Sequence, residues 1–377
     1  MKRFLLPSLC LFFCLLLCLP ALAETSDAMP DDYKGFLASL PDDLTELLPR
    51  GLFSDSPAEV ADTLSSFGTF PSILGLFKEL CAKLLGSLWG LLCELLGLLL
   101  LSRVLNDLGD SLALSGGLAS AFSFLKRLLL LTFLLGFGYQ SLSRVTSYLS
   151  ALGKMTNAAI PLLGTLYALG GNVSAAVASS ASLSISLVLT ERVVGSSILP
   201  LCALCLGFSL VELFTPFSTK SLTDALKKNY TTFLSFLMVI LLALLGGQTT
   251  LGAKADTLAA KGAKFAAGSM IPVAGGSISE LLLSVGAGVS YLRGICGVCG
   301  LLLLLLALLP TLLSLFCHRL LWQVAEGVAD FLGCKEEKQL FAEFSSLCGS
   351  LVAALLLCSS ALFLSFVLVL GCASAWG

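Results

Sequence analysis

Residues 294–316 read GICGVCGLLLLLLALLPTLLSLF, and that stretch decides the medium in which this chain folds. It holds no charged residue, and Leu301 to Leu306 is an unbroken leucine run. A helix needs roughly 20 apolar residues to cross the hydrocarbon core of a bilayer, because each backbone N–H and C=O must be satisfied inside the segment. The stretch meets that length and is read as a membrane span. The rest of the 377 residues agrees: 57% are hydrophobic and 12% charged, and the mean hydropathy is +0.97. A soluble domain carries about a quarter charged residues. This chain cannot wet its exterior, so much of that exterior must face lipid.

Gly349 to Leu370 is the next candidate on the C-terminal side. On the N-terminal side, Ile271 to Val289 is rich in small residues and interrupted by Pro272 and Gly275-Gly276. Tyr230 to Gly247 is clean, and Val193 to Phe214 carries Pro200. Asn157 to Leu189 is too long for one span and is broken by Gly170-Gly171-Asn172, which gives two short helices or a re-entrant pair. Leu118 to Tyr139, with Lys126 and Arg127 near its start, and Leu84 to Leu101 complete the set. The expected fold class is all-α: a polytopic helical membrane protein with about seven or eight membrane segments, some broken or re-entrant. Small residues recur, most densely from Gly171 to Ser184. In lipid such residues let helix backbones pack closely, so they fit a tight bundle, an interface with other subunits or a pore lining.

The N-terminus reads differently. Lys2 and Arg3 precede an apolar run from Phe4 to Leu19, and Ala21-Leu22-Ala23 gives a small-x-small cleavage pattern before Glu24. Residues 1–23 are therefore read as a cleaved signal peptide, which leaves the mature N-terminus extracytoplasmic. The competing reading is a lipoprotein signal with Cys18 as acceptor. Leu15-Leu16-Leu17 lacks the small residues expected before such a cysteine, so it ranks second. Residues 24–83 form an extracytoplasmic acidic head, and residues 84–377 the multi-span transmembrane domain. Pro30, Pro41, Pro49, Pro57 and Pro71 punctuate the head, and Leu40, Leu44, Leu47 and Leu48 mark a short amphipathic helix. Residues 24–80 hold eleven Asp or Glu against three Lys or Arg, whereas the residues after 80 hold thirteen against seventeen.

Two basic stretches bear on orientation. Lys220, Lys227 and Lys228 lie in residues 217–229, and Lys254, Lys261 and Lys264 in residues 251–268. Only one clean span separates them. The positive-inside rule puts both on one side only if the second lies along the surface, as an interfacial helix with snorkelling lysines. Leu251, Leu258 and Phe265 at seven-residue spacing favour that reading over a missed re-entrant segment.

The search for chemistry returns little. Glu94 lies mid-segment in the first candidate span, and ionisable groups at that depth often mark a substrate or proton path. It otherwise pairs with a basic group in the bundle or faces a partner protein. Glu191-Arg192, Glu212, Glu280 and Arg293 sit near segment ends. His318 is the sole histidine and is expected at the interface beside Arg319, just past a helix end. A single histidine allows no histidine metal cluster within the chain. No GxxxxGK[ST] motif and no GxGxxG before a soluble helix is present, so no nucleotide site is expected. Of fourteen cysteines, Cys10, Cys14 and Cys18 fall in the signal. Cys202/Cys205 and Cys296/Cys299 have CxxC spacing in apolar surroundings and are read as small buried hydrophobes. No catalytic, cofactor-binding or metal-binding residue and no cofactor is assigned. A net charge of −2 argues against nucleic acid as a partner.

Between residues 154 and 290 the chain carries a series of motifs: Ile160-Pro161-Leu162-Leu163 followed by Gly170-Gly171, then Leu199-Pro200-Leu201. Ser221-Leu222-Thr223-Asp224-Ala225-Leu226-Lys227-Lys228 and Gly246-Gly247-Gln248-Thr249-Thr250 come next. The most specific runs from Ala263-Lys264-Phe265 through Met270-Ile271-Pro272-Val273-Ala274 to Gly275-Gly276. With these the chain resembles the stage III sporulation protein AE family of endospore-forming bacteria. The resemblance implies a non-enzymatic polytopic subunit, made in the mother cell and placed in the outer forespore membrane. Its implied partners are the other membrane, ring and ATPase proteins of the stage III sporulation operon and a forespore membrane partner. Together these would form a secretion-like channel complex linking the two cells and required for forespore development. The rival reading is a self-sufficient secondary transporter, prompted by the broken segments near 171 and 272, since discontinuous helices often build substrate sites. The two halves show no evident repeat, which counts against it.

The signal reading is checked by N-terminal sequencing of the mature protein, which should begin at Glu24. A lipid-modified Cys18 would overturn it.

Overall fold

The computed structural model describes residues 29–45, 48–67, 70–111, 116–214, 219–270 and 275–372. The signal expected at 1–23, its expected cleavage after Ala23 and the break expected at Pro272 lie outside those residues. Among the described residues every regular element is helical. The first are short: α1 (Asp31–Leu37), α2 (Asp42–Thr45), a 3-10 turn (Arg50–Phe53) and α3 (Pro57–Phe67). Long helices follow: α4 (Phe70–Ser111), α5 (Gly116–Leu169), α6 (Val173–Val188), a π turn (Leu189–Gly195), α7 (Ser196–Phe214), α8 (Lys220–Met270), α9 (Gly275–Phe331) and α10 (Lys335–Gly371).

Among the described residues, five helical stretches are long and apolar enough to cross a membrane: Arg127–Leu169, Val173–Ser209, Lys220–Leu258, Ala287–Phe331 and Lys335–Gly371. The chain is an integral membrane protein. Three of the seven or eight segments expected over the whole chain are redrawn, and the reason lies in where the helix breaks. The segment expected at 118–139 and the start of the one at 157–189 share α5. The rest of the latter runs into the 193–214 segment through the π turn. Pro161, Pro200 and Pro310 all lie inside helices, where the packed surroundings of a span re-satisfy the backbone that a proline frees. At the π turn, whose backbone bonds leave the α register, the Ser196 and Ser197 hydroxyls donate to the Arg192 and Val193 carbonyls.

The chain turns sharply where glycine allows it. Gly171 has φ +75° and Gly333 φ +73°. At the first, Asn172 N–H donates to the Tyr167 carbonyl and Gly171 N–H to that of Ala168, both at 2.9 Å. At the second, Cys334 N–H donates to Ala329 (2.9 Å) and Gly333 N–H to Asp330 (3.1 Å). Each is the paired-bond helix stop that needs a left-handed residue just past the last turn. By contrast, the interfacial helix expected at 251–268 is not a separate element. It is continuous with the preceding span in α8, whose 51 residues extend about 76 Å at 1.5 Å per residue. Lys220 and Lys254 therefore stand towards opposite ends of one helix.

α9 and α10 form an antiparallel hairpin turning at Gly333. Gly297 and Gly300 on α9 lie against Leu370 and Phe366 on α10, and a Cβ on Gly300 would fall 2.2 Å from the Phe366 ring. The head packs on the same hairpin. Phe36 meets Phe366 edge to face at 5.5 Å, and the buried Tyr33 hydroxyl donates to the Leu52 carbonyl (3.0 Å) and lies 3.1 Å from Cys299 Sγ. Burial pushes the Tyr33 phenol well above its ordinary value, so it remains protonated. Leu40, Leu44 and Leu48 are buried in the same core. A second core near the Gly333 turn gathers Leu95 and Leu99 of α4, Leu130 and Phe137 of α5, and Trp322, Phe341 and Phe344. Trp322 stands 4.8 Å from Phe137 and 5.2 Å from Phe344, centroid to centroid.

The close approach at Gly300 separates it from Gly136, which has open space where a Cβ would go. Gly136→Ala should leave stability unchanged or raise it by roughly 0.5–1 kcal/mol through helix propensity. Gly300→Ala should lower it by about 1–3 kcal/mol through overpacking. Thermal melts of the two variants in detergent decide, and equal shifts would refute the tight α9–α10 contact.

Candidate functional site

The polar groups inside this bundle gather at a few levels, and the most enclosed lies where helices end. Arg293 on α9 is 2% exposed. Its Nε donates to the Leu166 carbonyl (2.8 Å) and its Nη2 to the Tyr167 carbonyl (3.2 Å), both in the last turn of α5. Its Nη1 donates to the carbonyl of Cys372 (3.1 Å), the residue that ends α10. The last carbonyls of a helix lack partners within it, and its C-terminal end attracts cations. One guanidinium answers both needs for two helices. It also stands over the Tyr167 ring, 5.8 Å from the centroid. Gly170 is glycine for this reason: a Cβ there would lie 1.9 Å from Arg293 Nη2.

The next helix is held from outside as well. The Asp256 carboxylate on α8 accepts from Ser174 N–H (2.7 Å), Ala175 N–H (3.3 Å) and the Ser174 hydroxyl (2.7 Å) at the start of α6. A carboxylate there satisfies orphan donors and meets the positive end of the helix. Gly252, one turn before Asp256, lets the chains meet; a Cβ would lie 3.0 Å from Ala175 N.

Towards the Gly333 turn, Lys227 on α8 and Glu343 on α10 form an ion pair at 2.5 Å, each side chain 5% exposed. Lys227 Nζ also donates to Ser346 Oγ (3.1 Å). Glu337, buried on α10, accepts from the Ser102 hydroxyl of α4. Arg127 pairs with Glu336 at 2.9 Å, and Arg103 donates to the Leu332 carbonyl at 3.3 Å. Burying one charge without its partner is costly, so these contacts fix how α4, α5 and α8 meet the hairpin.

His318 corrects an expectation. It is not past a helix end but inside α9, 4% exposed. Its ring lies 4.8 Å from that of Phe137. Ser314, one turn earlier, brings its hydroxyl to 3.3 Å from Nδ1, a serine–histidine pair that reading the sequence passed over. The pair is not a nucleophile and base through that nitrogen. Nδ1 stands 2.6 Å from the Ser314 carbonyl oxygen, and a carbonyl only accepts, so Nδ1 carries the proton and cannot take one from the hydroxyl. Arg144 Nη1 donates to Ser314 Oγ at 2.6 Å, linking α5 to the same level.

Of the charged residues singled out from the sequence, Arg293 is central and Glu94 is exposed on α4. The side chains of Glu191, Glu212 and Glu280 lie outside those described. Cys202, Cys205, Cys296 and Cys299 are buried and unbridged, in the surroundings of small hydrophobes. No group of three metal-binding side chains occurs among the described residues.

A family model described as stage III sporulation protein AE matches residues 67–374. The chain belongs to that family. Comparison with curated proteins gave no match, and comparison with solved structures gave none either. Membership gives this chain a role in stage III of sporulation and interaction with other stage III sporulation proteins, and the family is not a known enzyme family. The match spans all five candidate spans and the Arg293, Asp256 and Lys227–Glu343 contacts, and it leaves most of the head outside.

Arg293→Met should lower stability by about 3 kcal/mol, because the Leu166, Tyr167 and Cys372 carbonyls each lose a hydrogen bond and Tyr167 keeps only the one from Asn172 N–H. Arg293→Lys should recover only part, since one ammonium cannot reproduce the spread of the guanidinium fork. Melting of both variants in detergent measures this, and an unshifted Arg293→Met would remove Arg293 from its place in the fold.

Proposed function

We propose that this protein is a non-enzymatic membrane subunit of the sporulation channel complex that links mother cell and forespore, and that forespore development requires it. The family match over residues 67–374 carries the reading. The geometry supports it. The buried charges cap helices and pair with one another, which suits a rigid scaffold in a larger assembly. The partners proposed are the ring, ATPase and membrane proteins of the same operon and a forespore membrane protein, with the outer forespore membrane as the site.

The orientation proposed puts the head outside the cytoplasm and the Gly333 turn inside. The head packs at the end of the bundle that holds Phe366 and Thr165. Arg103, Arg127, Lys227, Lys335 and Lys338 cluster at the opposite end, around the α9–α10 turn. The positive-inside rule favours that assignment.

Purification from sporulating cells should bring the other operon products down with the protein. Reconstituted alone in vesicles, it should show no gradient-driven uptake. Robust uptake by the lone protein would sink the subunit reading in favour of a secondary transporter built around the Gly171 break.

A further inference from the structure

α5 changes character along its length. Near its start the exposed large side chains are apolar: Phe124, Leu125, Leu128, Leu129 and Leu135. From Tyr139 to Asn157 no exposed residue is aliphatic. Tyr139 and Gln140 begin this stripe, Arg144 and Lys154 charge it, and Ser143, Ser147, Ser150 and Asn157 complete it. The opposite face is buried and apolar, with Val145, Leu149, Leu152 and Met155. Polar and apolar positions alternate at three- and four-residue spacing, the pattern of a helix with one face in water.

The stripe stands at bilayer depth. Arg144 donates to Ser314, inside the leucine-rich 294–316 segment. Tyr148 hydrogen-bonds Ser359 at 2.6 Å, inside the 349–370 segment. Those segments belong to the two most apolar of the five spans, and the α5 span is the least apolar. α6 runs back from the Gly171 turn beside α5. Counted at about 1.5 Å per residue from that turn, Ile185 stands level with Asn157 and Val188 with Lys154. Ile185 and Val188 are exposed and apolar, as lipid requires. Gln140 to Asn157 covers about 26 Å of helix, close to the roughly 30 Å of a hydrocarbon core. One side of the bundle is thus fit for lipid and the other is not.

Charged side chains at this depth face the bundle interior, a protein partner or water. Arg144 and Lys154 are exposed; Arg144 reaches inward with Nη1 alone, to Ser314. Protein interfaces centre on aromatic or aliphatic anchors, and past Tyr139 the stripe offers none. No Asp or Glu lies between Tyr139 and Asn157 to neutralise the cations.

We propose that this stripe is the wetted wall of an aqueous path through the membrane, positively charged and therefore favouring anions over cations. The inference deepens the function proposed above and rests on it for the subunits that close the path. That the stripe meets water rests on α5 alone.

Cysteine accessibility in membranes from sporulating cells tests it. Ser147→Cys and Gln140→Cys are each placed in the full chain carrying Cys93→Ser, since Cys93 is exposed. Val239→Cys, on the exposed apolar face of α8, is the control. The probes are a membrane-impermeant sulfonate methanethiosulfonate, its trimethylammonium counterpart and a membrane-permeant maleimide. The sulfonate should modify both stripe cysteines roughly tenfold or more faster than the control, because thiol reaction follows access to water. It should also outpace the trimethylammonium reagent. Modification by the maleimide alone would mean lipid, and crosslinking to a neighbouring protein without sulfonate modification would mean a packed interface. Either overturns the proposal, and equal rates for the two charged reagents overturn its anion preference. Two variants at parent-like membrane levels guard against a folding defect at either position. Copurifying sporulation proteins are scored in the same preparation. Labelling without them would fail the assembly reading and keep the wetted stripe, and the reverse would do the opposite.

Discussion

The carbonyl groups at the end of a helix have no partners within it, and in this bundle two such ends converge on one buried cation. α5 stops at the Gly171 turn, α10 stops at Cys372, and Arg293 reaches both from α9. In a bilayer an unanswered carbonyl costs several kcal/mol, and this side chain donates at both ends, adding to the bonds that the Gly171 turn makes for itself. Gly170 keeps space for the guanidinium. Asn172 is fully buried at the turn, with Nδ2 3.5 Å from Cys372 Sγ. Asp256 then starts α6 on the far side of the same turn. Five helices are thereby fixed against one another: α5, α9 and α10 at Arg293, and α6 and α8 at Asp256.

The same requirement explains the other end. Around the Gly333 turn Glu337, Glu343 and Lys227 are buried with partners from different helices. An aromatic cluster about Trp322 fills the space between them. Apolar contact alone does not order helices strongly in lipid, because the lipid tails are equally apolar. Close approach at glycine and satisfied polar groups supply the specificity, and both occur here along the α9–α10 hairpin. The head shares the upper core, through Tyr33, Phe36 and Leu52.

A scaffold of this kind suits a family whose members work with other stage III sporulation proteins. The polar contacts just described are internal and consumed by the fold. What faces outward is divided: leucine, isoleucine, valine and phenylalanine over most of the surface, and the polar face of α5 on one side. That division is what the proposed wetted path rests on.

Much of this could be read along the chain. The leucine run at 301–306 announces a membrane helix, and Gly170-Gly171-Asn172 announces a break, because apolar length and a left-handed φ are local properties of a few adjacent residues. The family motifs between 154 and 290 lie inside the matched region. Pro161, Pro200 and Pro310 stay inside helices, where packed neighbours re-satisfy the backbone that each frees. His318 misled, since its neighbour Arg319 drew it to the interface while Phe137 and Ser314 hold it inside. Arg293 was legible as a charge near a segment end, but not as the group that closes α5 and α10. Its partners lie more than a hundred residues away on one side and nearly eighty on the other. Sequence alone determined that this chain lives in a membrane as helices and that it breaks at Gly171. Only the tertiary structure decided which charges meet and which face of α5 is polar at bilayer depth, because both depend on the register and rotation of packed helices.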